Sequence, residues 1–313
     1  MRKQEIIIGL TAILLMVLFV FFDATVTESF IITGRLERLF TLVLVSLTVA
    51  YSTIVFQTIS ANKILTPSLM GYEHLFVLSQ VLMLMTLGSG SELFRSKVWG
   101  FVFSTVVMTA YSFVLYVFLF RNQKKNVYYI LLIGLVLGMF FSTTTQFLQM
   151  AIDPNEYGYV QSAMFSSLGR TSANTLLIAS VVVLTLLLYL KRYFRYLDLL
   201  NLGREYTMGL GVDYDNMAKK QLLAISVLVS VSTALIGPIT FVGIFVSGIT
   251  YRLSNTASHS RTIVLAFGIA LVLMTGAQFA IEHILNYRHS LSVLINLLGG
   301  VYFFALIIKQ LRK

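Results

Sequence analysis

Residues 39–60 have the sequence LFTLVLVSLTVAYSTIVFQTIS, which is 22 consecutive positions without a charged side chain. At the rise of an α-helix, such a segment is about 33 Å long, which matches the roughly 30 Å hydrocarbon core of a bilayer. The segment also lacks glycine and proline, so nothing in it interrupts a helix. It therefore predicts a helix that spans a membrane.

Similar apolar runs, bounded by charges, glycine or proline, occur along the whole chain and predict about ten membrane-spanning helices. The predicted spans are 6–22, 39–60, 69–87, 98–120, 127–150, 174–190, 220–236, 239–252, 262–282 and 291–308. The run 239–252 reaches only about 21 Å as a helix, so we expect it to tilt, break or stay inside the bundle. The run 6–22 follows two basic residues as in a signal peptide, but no small-x-small cleavage site closes it, and we interpret it as a retained helix.

The composition agrees with a membrane protein and excludes an ordinary soluble enzyme. Apolar residues make up 57% of the 313 residues and charged residues 12%, too few to cover a soluble globule. The longest stretch without a span, about 191–220, is too short for a folded soluble domain, which predicts one transmembrane domain over 1–313. The chain has no cysteine, so disulfides and thiolate metal sites are excluded.

The distribution of basic residues predicts the orientation. With both termini in the cytoplasm, 17 of the 23 lysines and arginines lie on the cytoplasmic side and 6 lie outside. This is the asymmetry that the positive-inside rule describes. The basic residues cluster in short loops, so membrane topology explains the net charge of +10 and nucleic-acid binding is not expected.

No constellation of catalytic residues is found in the sequence. The four histidines have no spacing that places two of them on one helical face, so no metal site is predicted. No phosphate-binding loop of the G-x-x-x-x-G-K-[ST] type occurs, so ATP binding by such a loop is not expected. Glu73 is the one clear acidic residue inside a predicted span, which is weak support for a transporter driven by an ion gradient.

Three regions of the sequence resemble motifs of a known family. Residues 35–38 are RLER, Gln57 follows, and residues 62–71 are NKILTPSLMG; residues 202–211 are LGREYTMGLG, and residues 237–243 are GPITFVG. These resemble R-[LI]-P-R, Q with N-P-L-A-x-P-x-x-x-G, L-G-E-E-x-A-x-x-L-G and G-P-I-G-F-V-G of FecCD-type permeases, the membrane subunits of ABC importers for iron-siderophore complexes, haem and cobalamin. Gly134 and Gly138 match in spacing.

The resemblance implies the fold of a type II ABC importer permease in the cytoplasmic membrane of a bacterium. It implies a transport subunit, not an enzyme, with no cofactor of its own. The expected cargo is a ferric siderophore or a related iron chelate, with haem and cobalamin left open, and a separate ATPase subunit hydrolyses ATP. An extracytoplasmic binding protein, lipoprotein or periplasmic, would deliver the substrate. A stand-alone secondary transporter driven by an ion gradient is the alternative.

Two departures from the family pattern favour a heterodimer with a second, related permease chain over a homodimer. Where the family has V-P-H, residues 246–248 are VSG, and where it has G-A-P, residues 299–301 are GGV. A diverged member of a pair is expected to show such changes.

The resemblance also assigns site residues. Coupling to the ATPase is expected at Gly203, Glu205, Leu210 and Gly211, where a solvated connecting loop is the alternative. Docking of the binding protein is expected at Arg35, Arg38 and Arg288, where anchoring of helix ends at the membrane interface is the alternative. From its polar face, the fifth span is predicted to contribute Asn126, Ser142, Thr145, Gln146 and Gln149 to the translocation pathway, and close helix packing is the alternative for its small residues.

Overall fold

A computed structural model describes residues 2–22, 29–120, 127–165, 167–254, 256 and 258–311, and 82% of the chain is helical, with no strand in the described part. This confirms the all-α polytopic prediction. The apolar helices are α1 (Arg2–Phe21), α2 (Ser29–Ile59), α3 (Tyr72–Leu87), α5 (Lys97–Phe120), α6 (Val127–Gln149), α8 (Ala173–Lys191), α11 (Tyr214–Ile236), α12 (Val242–Leu253), α13 (His259–His283) and α14 (Leu291–Leu311). Short helices outside these are α4 (Glu92–Arg95), α7 (Tyr157–Met164), α9 (Phe194–Leu200) and α10 (Arg204–Gly209).

Seven of the apolar helices in the described part are long and apolar enough to cross a bilayer, and α3, α12 and α14 are the shorter apolar ones. A 3₁₀ turn, Pro67–Met70, precedes α3, and Gly71 joins the two with a φ of +86°. Together the turn and α3 have a length of about 32 Å, enough to cross the hydrocarbon core.

Two helices begin earlier than the hydrophobic runs predict. The helix α2 begins at Ser29 and α11 at Tyr214, before the predicted starts at 39 and 220. The 31 residues of α2 have a length of about 46 Å, more than the hydrocarbon core, so its first turns extend beyond the membrane. Charged residues are tolerated there, and hydropathy therefore locates the edge of the membrane, not the end of the helix.

The centre of the bundle is α2, which packs against α11 on one side and α13 on the other, and α5 lies against α11 and α1 against α13. In their spanning windows, 72% of α2 and 78% of α11 is buried within the chain, against 17% of α1. Hydroxyl side chains are frequent in these central helices, and several donate to carbonyls of the preceding turn, as Thr48 does to Val45 at 2.8 Å. The hydroxyls therefore allow close packing without leaving polar atoms facing lipid.

The helix α12 is a half-length helix that follows a break in the chain. Gly237 has a φ of +92°, and Pro238 cannot donate a helical hydrogen bond, so α11 ends there. With 12 residues α12 measures about 18 Å, and it packs between α2, α13 and α14. The predicted run 239–252 therefore stays inside the bundle as a short helix after the break.

Glycines bring α6 into backbone contact with the start of α3. A Cβ on Gly138 would lie 3.0 Å from the Cα of Gly71, and one on Gly134 would lie 3.0 Å from the Cα of Met70. Side chains at these two positions would push the helices apart. Close packing therefore accounts for both glycines of the fifth span.

Candidate coupling and translocation sites

The segment 192–213, between α8 and α11, contains α9 and α10. Gly203 before α10 and Gly211 after it have φ values of +90° and +80°, and a Cβ on either would have no atom within 4 Å. Backbone conformation, not packing, therefore explains these glycines. The residues 204–209 form α10 as a separate short helix, whereas 214–220 are the first part of α11.

Internal hydrogen bonds hold α10 against its neighbours. The buried Thr207 hydroxyl lies 2.8 Å from the carbonyl oxygen of Leu199 and 2.7 Å from that of Gly203. Arg204 donates two hydrogen bonds to the carboxylate of Asp215, at 3.2 and 2.7 Å, and this carboxylate raises the pKa of the Arg204 guanidinium. The two departures from the family pattern in this motif, Arg204 and Thr207, therefore both anchor α10.

The opposite side of α10 is an exposed apolar surface beside an acidic residue. The exposed fractions are 53% for Leu202, 74% for Tyr206, 50% for Met208 and 60% for Leu210, and Glu205 in the first turn is exposed as well. An apolar cluster outside the spanning helices has no lipid to cover it. Such a cluster is typical of a protein interaction site.

A hydrogen-bonded chain joins the segment 192–213 to two central helices. One carboxylate oxygen of Asp198 in α9 accepts from the backbone N–H of His259 at 2.7 Å and lies 2.8 Å from its Nδ1. The Nε2 of the buried His259 lies 2.8 Å from the hydroxyl of Thr58, near the end of α2. Asp198 thus caps the N-terminus of α13 from another helix. Sequence analysis missed this connection, because its partners lie far apart in the chain.

Two of the three predicted docking arginines, Arg35 and Arg38, have partners within the chain. Arg35 donates to the carbonyl oxygens of Val20 and Phe22, at 3.1 and 2.6 Å, and so caps the end of α1. Arg38 forms a salt bridge of 3.0 Å with Glu282, which is 4% exposed. Arg288, after α13, is exposed. Arg35 and Arg38 are half-buried, and the exposed fraction of the Arg38 side chain is 39%.

The polar face of α6 is only partly accessible. Thr145 is 4% exposed and donates to the carbonyl of Phe141, so it lies inside the subunit and does not line an open surface, contrary to its predicted role. Gln146 is exposed, and its amide donates to the hydroxyl of Ser142 at 3.3 Å. Ser142 and Gln149 are half-buried. Asn126, also predicted to contribute to the translocation pathway, lies outside the described residues.

The buried carboxylate of Glu73 satisfies the broken backbone before α12. One oxygen accepts from the N–H of Ile239 at 3.1 Å, and the other accepts from the hydroxyl of Thr240. Asn296 in α14 accepts from the N–H of Phe241 at 3.4 Å. Irregular backbone at membrane depth requires such partners, since lipid offers none. Within the described residues, no group of three histidine or acidic side chains is placed to hold a metal ion.

Comparison with protein families gives the identity of the fold. The model of the FecCD transport family matches residues 6–309. The chain belongs to the FecCD transport family. It is thus a multi-pass membrane permease, and the resemblance read from the three motifs is confirmed.

Relatives of this FecCD permease include two proteins of Bacillus subtilis (strain 168). The petrobactin import system permease protein YclO is 37% identical over 308 residues, which cover 98% of this chain and 97% of YclO. The petrobactin import system permease protein YclN is 26% identical over 91% of this chain and 89% of YclN.

A solved structure of an inward-facing metal-chelate type ABC transporter has the same fold as this FecCD permease. Its TM-score is 0.82 at 21% identity, and the alignment covers 98% of this chain and 99% of that one.

Residues of the two divergent motifs lie at close contacts of α12 and α14, although Gly299 itself keeps the first glycine of G-A-P. A Cβ on Gly248 would lie 2.5 Å from the ring of Tyr302, and one on Gly299 would lie 2.5 Å from the Cβ of Phe241. Ser247 accepts a hydrogen bond from the amide of Gln57 at 2.9 Å. The contact with Tyr302 therefore accounts for Gly248. Gly300, which replaces the alanine of G-A-P, would meet no atom within 4 Å with a Cβ, so packing does not explain that departure.

Proposed function

We propose that this chain is one permease subunit of a binding-protein-dependent ABC importer for a ferric siderophore of the petrobactin type. The observation that carries the proposal is the 37% identity to YclO over nearly the whole length of both chains. ATP is hydrolysed by a separate ATPase subunit, and an extracytoplasmic binding protein delivers the iron complex. The siderophore-bound iron is the cargo and needs no resident metal site in this chain.

The exposed surface of α10 is the proposed contact with the ATPase. Its apolar side chains supply the buried area, and Glu205 at the edge supplies charge complementarity to a basic partner. Gly203, Leu210 and Gly211 shape the short helix and its exposed end. The chain of hydrogen bonds from Asp198 through His259 to Thr58 supports the idea that movement of this segment reaches α13 and α2.

A second, related permease chain is the proposed dimer partner. In one Bacillus subtilis strain, YclO and YclN are both named as permease proteins of the petrobactin import system. This chain is more similar to YclO, at 37% identity against 26% for YclN. A counterpart related to YclN is therefore expected to complete the transporter.

Arg35, Arg38 and Arg288 form the proposed docking surface for the binding protein. The salt bridge between Arg38 and Glu282 neutralises part of this charge, so Arg288 and the exposed part of Arg38 provide the attraction. Exposed charges of this kind steer the encounter with the binding protein more than they increase the affinity for it.

Ser142, Gln146 and Gln149 are the polar residues of α6 that we assign to the translocation pathway, without Thr145. A polar face on a spanning helix is unfavourable toward lipid, so it is expected to line a cavity or an interface with the second permease.

The orientation with both termini in the cytoplasm belongs to the same proposal. Thr58, Asp198 and His259, which the topology puts on the cytoplasmic side, lie together, as do Arg38 and Glu282 on the opposite side. These contacts support the alternating direction of successive spans. The excess of lysine and arginine on one side supports the assignment of that side to the cytoplasm.

Reconstitution tests the proposed function directly. Proteoliposomes with this chain, the second permease, the ATPase and the binding protein are expected to accumulate ferric petrobactin only when ATP is supplied. Omitting either permease or the ATPase should reduce uptake to background. Uptake by this chain alone in response to an ion gradient would contradict the proposal and support the secondary transporter, and an active assembly with two copies of this chain would contradict the heterodimer.

Reversing the charge of Glu205 tests the coupling surface. Glu205→Lys is expected to weaken ATPase association several-fold, because an exposed ion pair contributes up to about 1 kcal/mol and reversal also adds repulsion. Glu92→Lys is the matched control, since Glu92 is an exposed acidic residue in the first turn of the short helix α4 on the opposite side. Subunit stoichiometry and substrate-stimulated ATP hydrolysis are the measurements. Equal results for the two variants would contradict the coupling assignment.

A further inference from the structure

The cytoplasmic end of α8 has an unusual concentration of uncompensated positive charge. Lys191 and Arg192 end the helix, Arg195 follows in the first turn of α9, and all three are exposed. Lys220 of α11 lies beside them, with its ammonium 5.8 Å from the ring of Tyr193. No ion pair in the described part of the chain involves any of these four cations.

The nearby carboxylates have other partners. Asp198 is hydrogen-bonded to His259 at 2.8 Å, and Asp215 is paired with Arg204 at 2.7 Å. In the described part of the chain, neither carboxylate forms an ion pair with any of the four cations. Charges of one sign held close together repel one another, so an anionic ligand at this place lowers the electrostatic free energy.

Tyrosine rings give this cluster a fixed shape. The guanidinium of Arg192 lies 4.4 Å from the centroid of the Tyr189 ring, and its Nε donates to the carbonyl oxygen of Tyr189 at 3.1 Å. The hydroxyls of Tyr189 and Tyr193 are 3.1 Å apart. Tyrosine side chains favour the boundary between lipid and water, and a stacked arginine keeps its donors directed outward.

The apolar surface of α8 leads directly to these cations. Leu177, Val181, Leu184 and Leu188 are exposed along one face, at fractions of 64, 58, 48 and 71%. Their spacing of four, three and four residues makes one stripe, and the next steps of three and four reach Lys191 and Arg192. An acyl chain lying along this stripe therefore places its head group at the basic end.

We infer that the cytoplasmic end of α8 is a binding site for an anionic phospholipid, with Lys191, Arg192, Arg195 and Lys220 around the phosphate and Tyr189 and Tyr193 at the membrane interface. The stripe favours a lipid over a soluble anion or a protein, since those ligands would leave it without a role. The inference rests on the proposed topology for the choice of leaflet only, and lipid binding does not require transport.

Titration of the purified transporter with dioleoyl phosphatidylglycerol, followed by native mass spectrometry, tests the site. Each charge removed is expected to weaken phosphatidylglycerol binding about fivefold. The double variant R192Q/R195Q is therefore expected to bind this lipid up to about 30-fold more weakly. The conservative variant R192K/R195K should bind within about twofold of the parent, because near a membrane surface each basic charge contributes similarly. R95Q/K97Q removes two charges on the opposite side and is the matched control, expected to bind like the parent.

Several outcomes would overturn the inference. These are unchanged phosphatidylglycerol affinity in R192Q/R195Q, equal binding of phosphatidylcholine by the parent, and displacement of the lipid by inorganic phosphate. Loss of the ATPase from R192Q/R195Q with unchanged lipid binding would instead identify a protein-docking surface. ATP-driven uptake, measured on the same preparations, separates a failure of this inference from a failure of the proposed function.

Discussion

Gly299→Ala is expected to disrupt the junction of α12 and α14, whereas Gly300→Ala in the next position should be tolerated. A Cβ on Gly299 would lie 2.5 Å from the Cβ of Phe241 and 3.1 Å from its carbonyl oxygen, and neither atom can move without the backbone. A Cβ on Gly300 would have no atom within 4 Å. Overpacking of this kind costs about 1–3 kcal/mol.

The two glycines are neighbours in one helix, so the pair controls for helix propensity and membrane depth. Alanine at Gly300 gains helix propensity, up to about 1 kcal/mol in a soluble helix, and is the residue of the G-A-P pattern. Thermal unfolding in detergent and the yield of assembled transporter are the measurements. Equal melting temperatures for the two variants would contradict the close contact between Gly299 and Phe241.

The apolar runs predicted the number and order of the apolar helices, because burial in lipid affects every residue of a span. Hydropathy gave the wrong start for α2, since the charged residues at 35–38 lie within a helix that continues beyond the membrane. The same applies to Lys219 and Lys220 in α11. Helix ends depend on capping contacts, such as that of Arg35 with the end of α1, and a sequence pattern does not contain those partners.

Long-range contacts explain what sequence analysis missed at the candidate sites. The four histidines have no common spacing, yet His259 has a partner, Asp198, which lies 61 positions earlier in the chain. Thr145 shares a helical face with the polar residues of α6, but it is buried within the chain, on a helix that packs against α3 and α5. Periodicity assigns a residue to a face, and only tertiary packing decides what covers the face.

The interpretation of departures from a family motif has the same limit. The residues 246–248 and 299–301 differ from the FecCD pattern, and the sequence alone favours a second permease on this ground. In the structure Gly248 accommodates Tyr302, so packing explains that departure, whereas a Cβ on Gly300 would meet no atom within 4 Å and its departure has no packing explanation. The two permease proteins of the petrobactin system, YclO and YclN, give the expectation of a heterodimer further support.

Glu73→Ala is expected to destabilise the transporter strongly, and Glu73→Gln is expected to preserve both folding and ATP-driven uptake. Alanine leaves the N–H of Ile239 without an acceptor inside the membrane, at a cost of about 1–3 kcal/mol, and creates a cavity as well. Glutamine keeps the volume. Its carbonyl accepts from Ile239, and its NH₂ donates to the hydroxyl of Thr240, which reverses the direction of that bond.

The same pair of variants separates the two transport mechanisms. An ion-coupled transporter needs an ionisable side chain inside the membrane, so Glu73→Gln would abolish its uptake. An ABC permease needs Glu73 only as an acceptor for the broken backbone before α12, so Glu73→Gln is expected to transport at close to the parent rate. Uptake, ATP hydrolysis and thermal stability are measured in the same preparation. A stable Glu73→Gln protein that hydrolyses ATP but does not transport would show that the carboxylate takes part in translocation.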